Sequence, residues 1–139
     1  LHSLISNSSS EESSLAYNLV NIRSISDSKS EPYSEIMLEK NNKSFESKSN
    51  GGGPVDAAFK AIEKIVGSNS KLQLYSVNNI TDGTDSLGEV TVRIEKKGII
   101  VNGIGSDTDI VIASAKAYLD AINKLNMKEK IVHPQLDHV

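Results

Sequence analysis

The sequence predicts an α+β domain: two βββα repeats related by a pseudo-two-fold, with sheets packed with two helices. Three observations lead there. Two apolar-periodic helical runs each follow a glycine-rich lead-in; strand-like segments come in threes ahead of each run; and the two halves align on one another. A three-stranded sheet with one helix is too small to be stable alone, so the two units must share a core.

Within the first unit, "NLVNIRSI" from Asn18, "EIMLE" from Glu35 and "SFESK" from Ser44 are the strands. The polar loop "SDSKSEP" and the turn "KNNK" separate them. The helix after "GGGP" places Val55, Ala58, Phe59, Ile62 and Ile65 on one face; Pro54 suits its first position, Asp56 its first turn and Gly67 its end. The second unit opens with "KLQLYSV" from Lys71, turns through "TDGTDSLG", and continues in "EVTVRIE", where Val90, Val92 and Ile94 alternate onto one side. "KKG" turns the chain into "IIVNGI", and after "GIGSDTD" the second helix presents Val111, Ala115, Tyr118, Ile122 and Leu125. Placing Asp56 over Asp109 pairs Val55 with Thr108, Ala58 with Val111, Ile62 with Ala115 and Ile65 with Tyr118. The domain is expected over residues 15–126, as repeats 15–67 and 71–126. The serine-rich stretch 1–14 reads as a flexible linker and 127–139 as a loosely packed tail.

Composition narrows the function classes. The chain has 139 residues, 37% hydrophobic and 24% charged, enough for one small soluble domain. A net charge of −3, with scattered Lys and Arg, offers no electrostatic pull on nucleic acid. No apolar run reaches the ~20 residues of a membrane span and no signal peptide opens the chain, so a cytoplasmic location is the default expectation. Without cysteine there is no disulfide, thiolate nucleophile or cysteine metal site. His2, His133 and His138 lie in the expected flexible ends, "HPQLDH" has no fixed element to hold a metal, and no serine sits in a G-x-S-x-G elbow. The chain is expected to be no enzyme by itself and to carry no metal or cofactor.

The glycines leave two readings. Helix starts expose N–H groups and a partial positive charge suited to a carboxylate or phosphate. Alternatively, glycine is there for crowded packing. "GGGP" lacks the Lys-Ser/Thr of a P-loop, which argues against a nucleotide.

Three blocks resemble a known family. "GGGPVDAAFKAI", "YSVNNITDGTDSLGEVTV" and "GIGSDTDIVIASAKAYLDAIN" are similar, in order and spacing, to the C-terminal regulatory domain of alpha-isopropylmalate synthase, over about residues 15 to 126. The resemblance implies paired βββα units and an allosteric, dimerising domain that binds leucine for feedback inhibition of leucine biosynthesis. The catalytic barrel of that family, with its H-x-H pair, divalent metal and acetyl-CoA, is a separate part; no H-x-H occurs here. Carried over residue by residue, the leucine polar groups would meet Gly51, Gly53, Asp56 and Asp109. Its isobutyl group would enter a niche of Val55, Leu72, Tyr75, Leu87 and Ile110, with Asn79, Gly88 and Thr108 nearby. Gly52 stands where the family often has an acid, and the loop "SDSKSEPYSE" departs from its pattern. The implied partners are leucine, a second copy of the chain and the catalytic barrel. Two other readings stay open: the isoleucine-responsive domain of citramalate synthase, and a dimerisation module without a ligand.

Overall fold

The computed structural model describes residues 16–80 and 86–132. Eight elements follow in order: β1 (Asn18–Ile25), β2 (Tyr33–Lys40), β3 (Lys43–Asn50), α1 (Pro54–Val66), β4 (Lys71–Asn79), β5 (Gly88–Lys96), β6 (Ile99–Asp107) and α2 (Ile110–Val132). They form two antiparallel sheets, ordered β1-β2-β3 and β4-β5-β6, each followed by its helix: the expected βββα repeat, twice.

The hairpins repeat in detail. Asn41 and Asn42 (φ 54° and 63°) turn β2 into β3, and Lys97 and Gly98 (φ 50° and 84°) turn β5 into β6. A two-residue loop with both φ values positive matches the right-handed twist of the strands, and Asn and Gly tolerate that conformation best. Both first strands carry a register shift at the same place, between Leu19 and Asn21 and between Leu72 and Leu74.

The sheets alternate as the sequence suggests. Val90, Val92 and Ile94 are buried under α2, and Ile36 and Leu38 are buried under α1 in the first unit. Gly103 and Gly105 face α2 on β6. A Cβ on Gly103 would stand 2.1 Å from the Ala117 carbonyl oxygen, and one on Gly105 would stand 2.4 Å from that of Ala113. With Ala113, Ala117 and Ala121 fully buried at four-residue spacing, helix and strand approach backbone to backbone. The edge of β6 is closed by the same helix: Ile104 N–H donates to Asp120 (3.0 Å) and Lys124 donates to the Asn102 carbonyl (3.1 Å). Capping an edge strand in this way removes a template for unwanted pairing.

The two units share one core through their helices. Phe59 of α1 stacks on Tyr118 of α2 at 4.4 Å between ring centroids, and the Tyr118 hydroxyl donates to Glu63 (3.2 Å). Burial first, and the Glu63 carboxylate second, push the Tyr118 phenol up to about 12.

Two details differ from the sequence reading. The helix starts fall on Gly53 and Asp109, whose carbonyls accept from Ala57 and Ala113 (both 2.9 Å), so the helices superpose Gly53 on Asp109 rather than Asp56 on Asp109. The three-residue difference accumulates before the second hairpin turn, because β4, the segment after it and β5 are each one residue longer than β1, the segment after it and β2. Helix α2 also continues through Met127–Val132, where a tail is expected, and Glu129 pairs with Lys96 (3.2 Å). The expected linker 1–14, His2, His133 and His138 lie outside the described residues.

Candidate functional site at the helix starts

The start of α1 is open. Gly53 caps it in an extended conformation (φ −160°, ψ 173°) with no side-chain cap, and Pro54 contributes no N–H. The Gly51 N–H goes to the Pro32 carbonyl (3.1 Å) and the Gly52 N–H to the Asp56 carboxylate (2.8 Å). That bond, and then Lys60 at 3.1 Å, holds the Asp56 carboxyl below its ordinary value. Among the described residues the N–H groups of Gly53, Val55 and Asp56 have no acceptor. They are the orphan donors of a helix N-terminus, on the positive end of the helix dipole.

The start of α2 is closed by its own acid. Asp109 Oδ1 accepts from Val111 (2.8 Å) and Ile112 (3.2 Å), so Asp109 is an N-cap rather than a first-turn residue. Two residues before it, Asp107 accepts from the Asp109 N–H (2.9 Å) and pairs with Lys116 (3.2 Å); the first of these, then the second, lowers its carboxyl. Asp109 keeps its second oxygen free of hydrogen bonds among the described residues.

Tyr75 links the two starts. Its ring meets Phe59 edge-on at 6.1 Å, and its hydroxyl lies 2.6 Å from Ser114 Oγ, which donates to the Ile110 carbonyl (2.7 Å). Val55 and Ile110 stand four residues before Phe59 and Ser114, so each is one turn, about 5.4 Å of rise, nearer its helix start on the same face. Gly88 sits beside Ile110: a Cβ there would be 3.3 Å from the Ile110 Cδ1. Asn79 pairs with Gly88 across β4 and β5, and Leu87 accepts from the Ile80 N–H (3.0 Å). Tyr75 and Val77 are 37% and 43% exposed on the helix-side face of β4, a half-exposed apolar strip that meets the helices at Tyr75.

The structure therefore gathers Gly53, Val55, Asp56, Tyr75, Asn79, Gly88, Asp109 and Ile110 around the two helix starts, with Thr108 and Leu87 at the margins. Gly51 belongs to the packing instead: a Cβ there would stand 2.4 Å from the Ala57 nitrogen. Leu72 is seven positions along β4 from Asn79, about 23 Å at strand rise, opposite Ile94. Ser114 was missed, because only the fold brings a mid-helix serine to a tyrosine 39 residues earlier. Among the described residues no group of three His, Cys, Asp or Glu side chains could hold a metal ion, and no helix is long and apolar enough to cross a membrane.

Paired βββα units with an uncapped helix start beside a half-exposed apolar strand make a small α+β domain built from a duplicated unit. The LeuA allosteric (dimerisation) domain matches residues 1–126, and the chain belongs to that family. Among curated relatives, the 2-isopropylmalate synthase of Chromobacterium violaceum is 51% identical over 131 residues, 94% of this chain and 26% of the relative. That of Nitrosospira multiformis is 51% identical over 136 residues, 98% of this chain and 26% of the relative. That of Methylococcus capsulatus is 48% identical over the full 139 residues, 27% of the relative. The chain thus spans about a quarter of the length of the curated relatives it matches.

Proposed function

We propose that this domain binds leucine and passes feedback inhibition to the catalytic barrel of a 2-isopropylmalate synthase in leucine biosynthesis, without catalysing a reaction itself. The observation that carries the reading is the uncapped start of α1 beside the half-exposed, helix-side face of β4. A leucine carboxylate would take the N–H groups of Gly53, Val55 and Asp56, and its ammonium the unused oxygen of Asp109. The isobutyl group would lie on Tyr75 and Val77 between Val55 and Ile110. Backbone donors orient such a ligand and an apolar wall reads its shape. Burying the branched tail is worth about 1.5–3 kcal/mol, enough to discriminate by size.

Relay to a catalytic half needs a coupling free energy of about 1–3 kcal/mol, and Tyr75, touching both helices, is placed to supply it. Divalent metal and acetyl-CoA would belong to that other half. Outward-facing Leu74 and Ile104, exposed on the second sheet, suit a homodimer closed by a two-fold axis. A cytoplasmic enzyme fits this assignment.

Calorimetric titration with leucine, isoleucine and valine tests it. Leucine binds most tightly, and at a hundredfold excess over Kd it raises stability by about 2.7 kcal/mol. Tighter isoleucine binding would move the assignment to a citramalate synthase-type regulator. No heat with any of the three, together with concentration-dependent association, would leave a ligand-free dimerisation module.

A further inference from the structure

The two hydroxyls that meet between β4 and α2 have a fixed direction. Ser114 Oγ lies 2.7 Å from the Ile110 carbonyl, which can only accept, so the single proton of Ser114 goes there. At 2.6 Å from the same oxygen, Tyr75 is therefore the donor, and its own proton points at Ser114. The Tyr75 oxygen is left as an acceptor only. Phe59, edge-on to the ring at 6.1 Å, packs beside the phenol and limits its swing.

The fold does not ask for this pair. When the repeats are superposed on their helix starts and on the register shifts of their first strands, Ser114 falls on Ala58 and Tyr75 on Ile22. The first unit thus fills both places with apolar side chains, and Ala58 is as fully buried as Ser114. A buried hydroxyl needs a partner to offset its lost hydration, and the repeat can be built without one.

The location of the pair points to its use. Ile110, whose carbonyl anchors it, follows Asp109, whose second carboxylate oxygen is free of hydrogen bonds among the described residues. The first turn of α2 thus offers two oxygens that accept and do not donate. The start of α1 offers the reverse: the N–H groups of Gly53, Val55 and Asp56 donate and cannot accept. We infer that Ser114, without touching the ligand, sets the Tyr75 hydroxyl as an acceptor and so restricts the site to ligands with a primary ammonium beside their carboxylate. This rests on the leucine reading above and gives Ser114 a positioning role in it. An ammonium brings three donors to Asp109 and Tyr75. A 2-oxo acid with the same tail brings a carbonyl oxygen instead and sets one acceptor against two others. Sites whose polar groups are left unpaired reject such an analogue steeply. The domain thereby reads the amine and turns away the oxo acid of the same carbon skeleton.

Calorimetric titration of the 139-residue chain with leucine and with 4-methyl-2-oxopentanoate tests the proposal. The parent binds leucine at least about a hundredfold more tightly than the oxo acid. Ser114→Ala frees the phenol proton to turn toward the ligand. Leucine then weakens about tenfold while the oxo acid does not, so the ratio falls by the same factor. The melting temperature stays in place, since alanine already fills the equivalent buried position at Ala58. Tyr75→Phe lowers the ratio likewise, and adding Ser114→Ala to it lowers the ratio no further, a non-additivity that a merely structural serine would not give. Leucine binding with the parent ratio kept in Ser114→Ala would overturn the proposal alone, as would additive losses in the double variant or a parent that binds both ligands equally. A parent that binds neither would overturn the leucine reading and this role of Ser114 with it.

Discussion

The two helix starts occupy equivalent places in the repeat and are built in opposite ways. At α2, Asp109 takes the first amides and Asp107 and Lys116 brace the turn, so the helix is complete in itself. At α1 a glycine stands where Asp109 stands, the amides are bare, and the nearest acid, Asp56, bonds outward to Gly52. Duplication supplied two similar frames; only the one left without a cap offers donors to something else. A self-sufficient terminus lends the fold stability, whereas an unfinished one stays available to a ligand.

A second contrast concerns helix length. Helix α1 ends after 13 residues at Gly67, whose left-handed conformation (φ 54°) lets its N–H return to Glu63 (2.8 Å). Helix α2 runs for 23 residues and covers β6 and β5, touching β1 as well. The longer helix covers β5 and β6 of its sheet but leaves Tyr75 and Val77 of β4 partly exposed.

The largest expected effect sets the packing glycines against the capping one. Gly103→Ala drives a methyl into the Ala117 carbonyl and costs about 3 kcal/mol or more, because a backbone has nowhere to yield. Gly53→Ala finds nothing within 4 Å and costs under about 1 kcal/mol, the penalty for alanine at an N-cap. Urea unfolding of the two variants measures the gap, and equal losses would mean that α2 does not sit on β6 as closely as described.

Next comes Tyr118, where the helices meet. Its folded pKa lies above the unfolded value of 10, so its contribution is fully present below pH 10 and is lost as pH rises toward 12. The loss is roughly 2–3 kcal/mol. Denaturation midpoints between pH 9 and 12 (chosen on the same principle) show a decline that Tyr118→Phe flattens.

Smaller still, Asp109→Ala removes a working cap and lowers stability by about 1 kcal/mol. Gly53→Ser does the reverse at α1. It gains a few tenths of a kcal/mol by giving the bare amides a hydroxyl, and it weakens leucine binding by occupying them. Thermal melts with and without leucine separate the two effects. A variant that binds leucine as well as the parent would show that these amides are not the anchor.

The repeat was legible because its signals are local: alternation in "EVTVRIE", positive-φ residues in "KNNK" and "KKG", and proline at the first position of α1. The alignment slipped by three residues because two aspartates were matched by identity, while the fold gives Asp56 and Asp109 different jobs. The sequence leaves both "GIGSDTD" and "GGGP" open between an anion-binding helix start and crowded packing. Gly103 and Gly105 prove to be packing residues, a role visible only once α2 lies on β6. Within the candidate site, the residues next to the glycine run and around Ile110 came from motif position. Tyr75–Ser114 depends on a contact across 39 residues, which no local pattern encodes.

Gly103 and Gly105 carry a genetic consequence. Every single-base change in a glycine codon that alters the amino acid adds a side chain, and at these two positions even the smallest strikes the backbone of α2. Random mutagenesis of the gene should therefore return no functional variant at these two inward glycines.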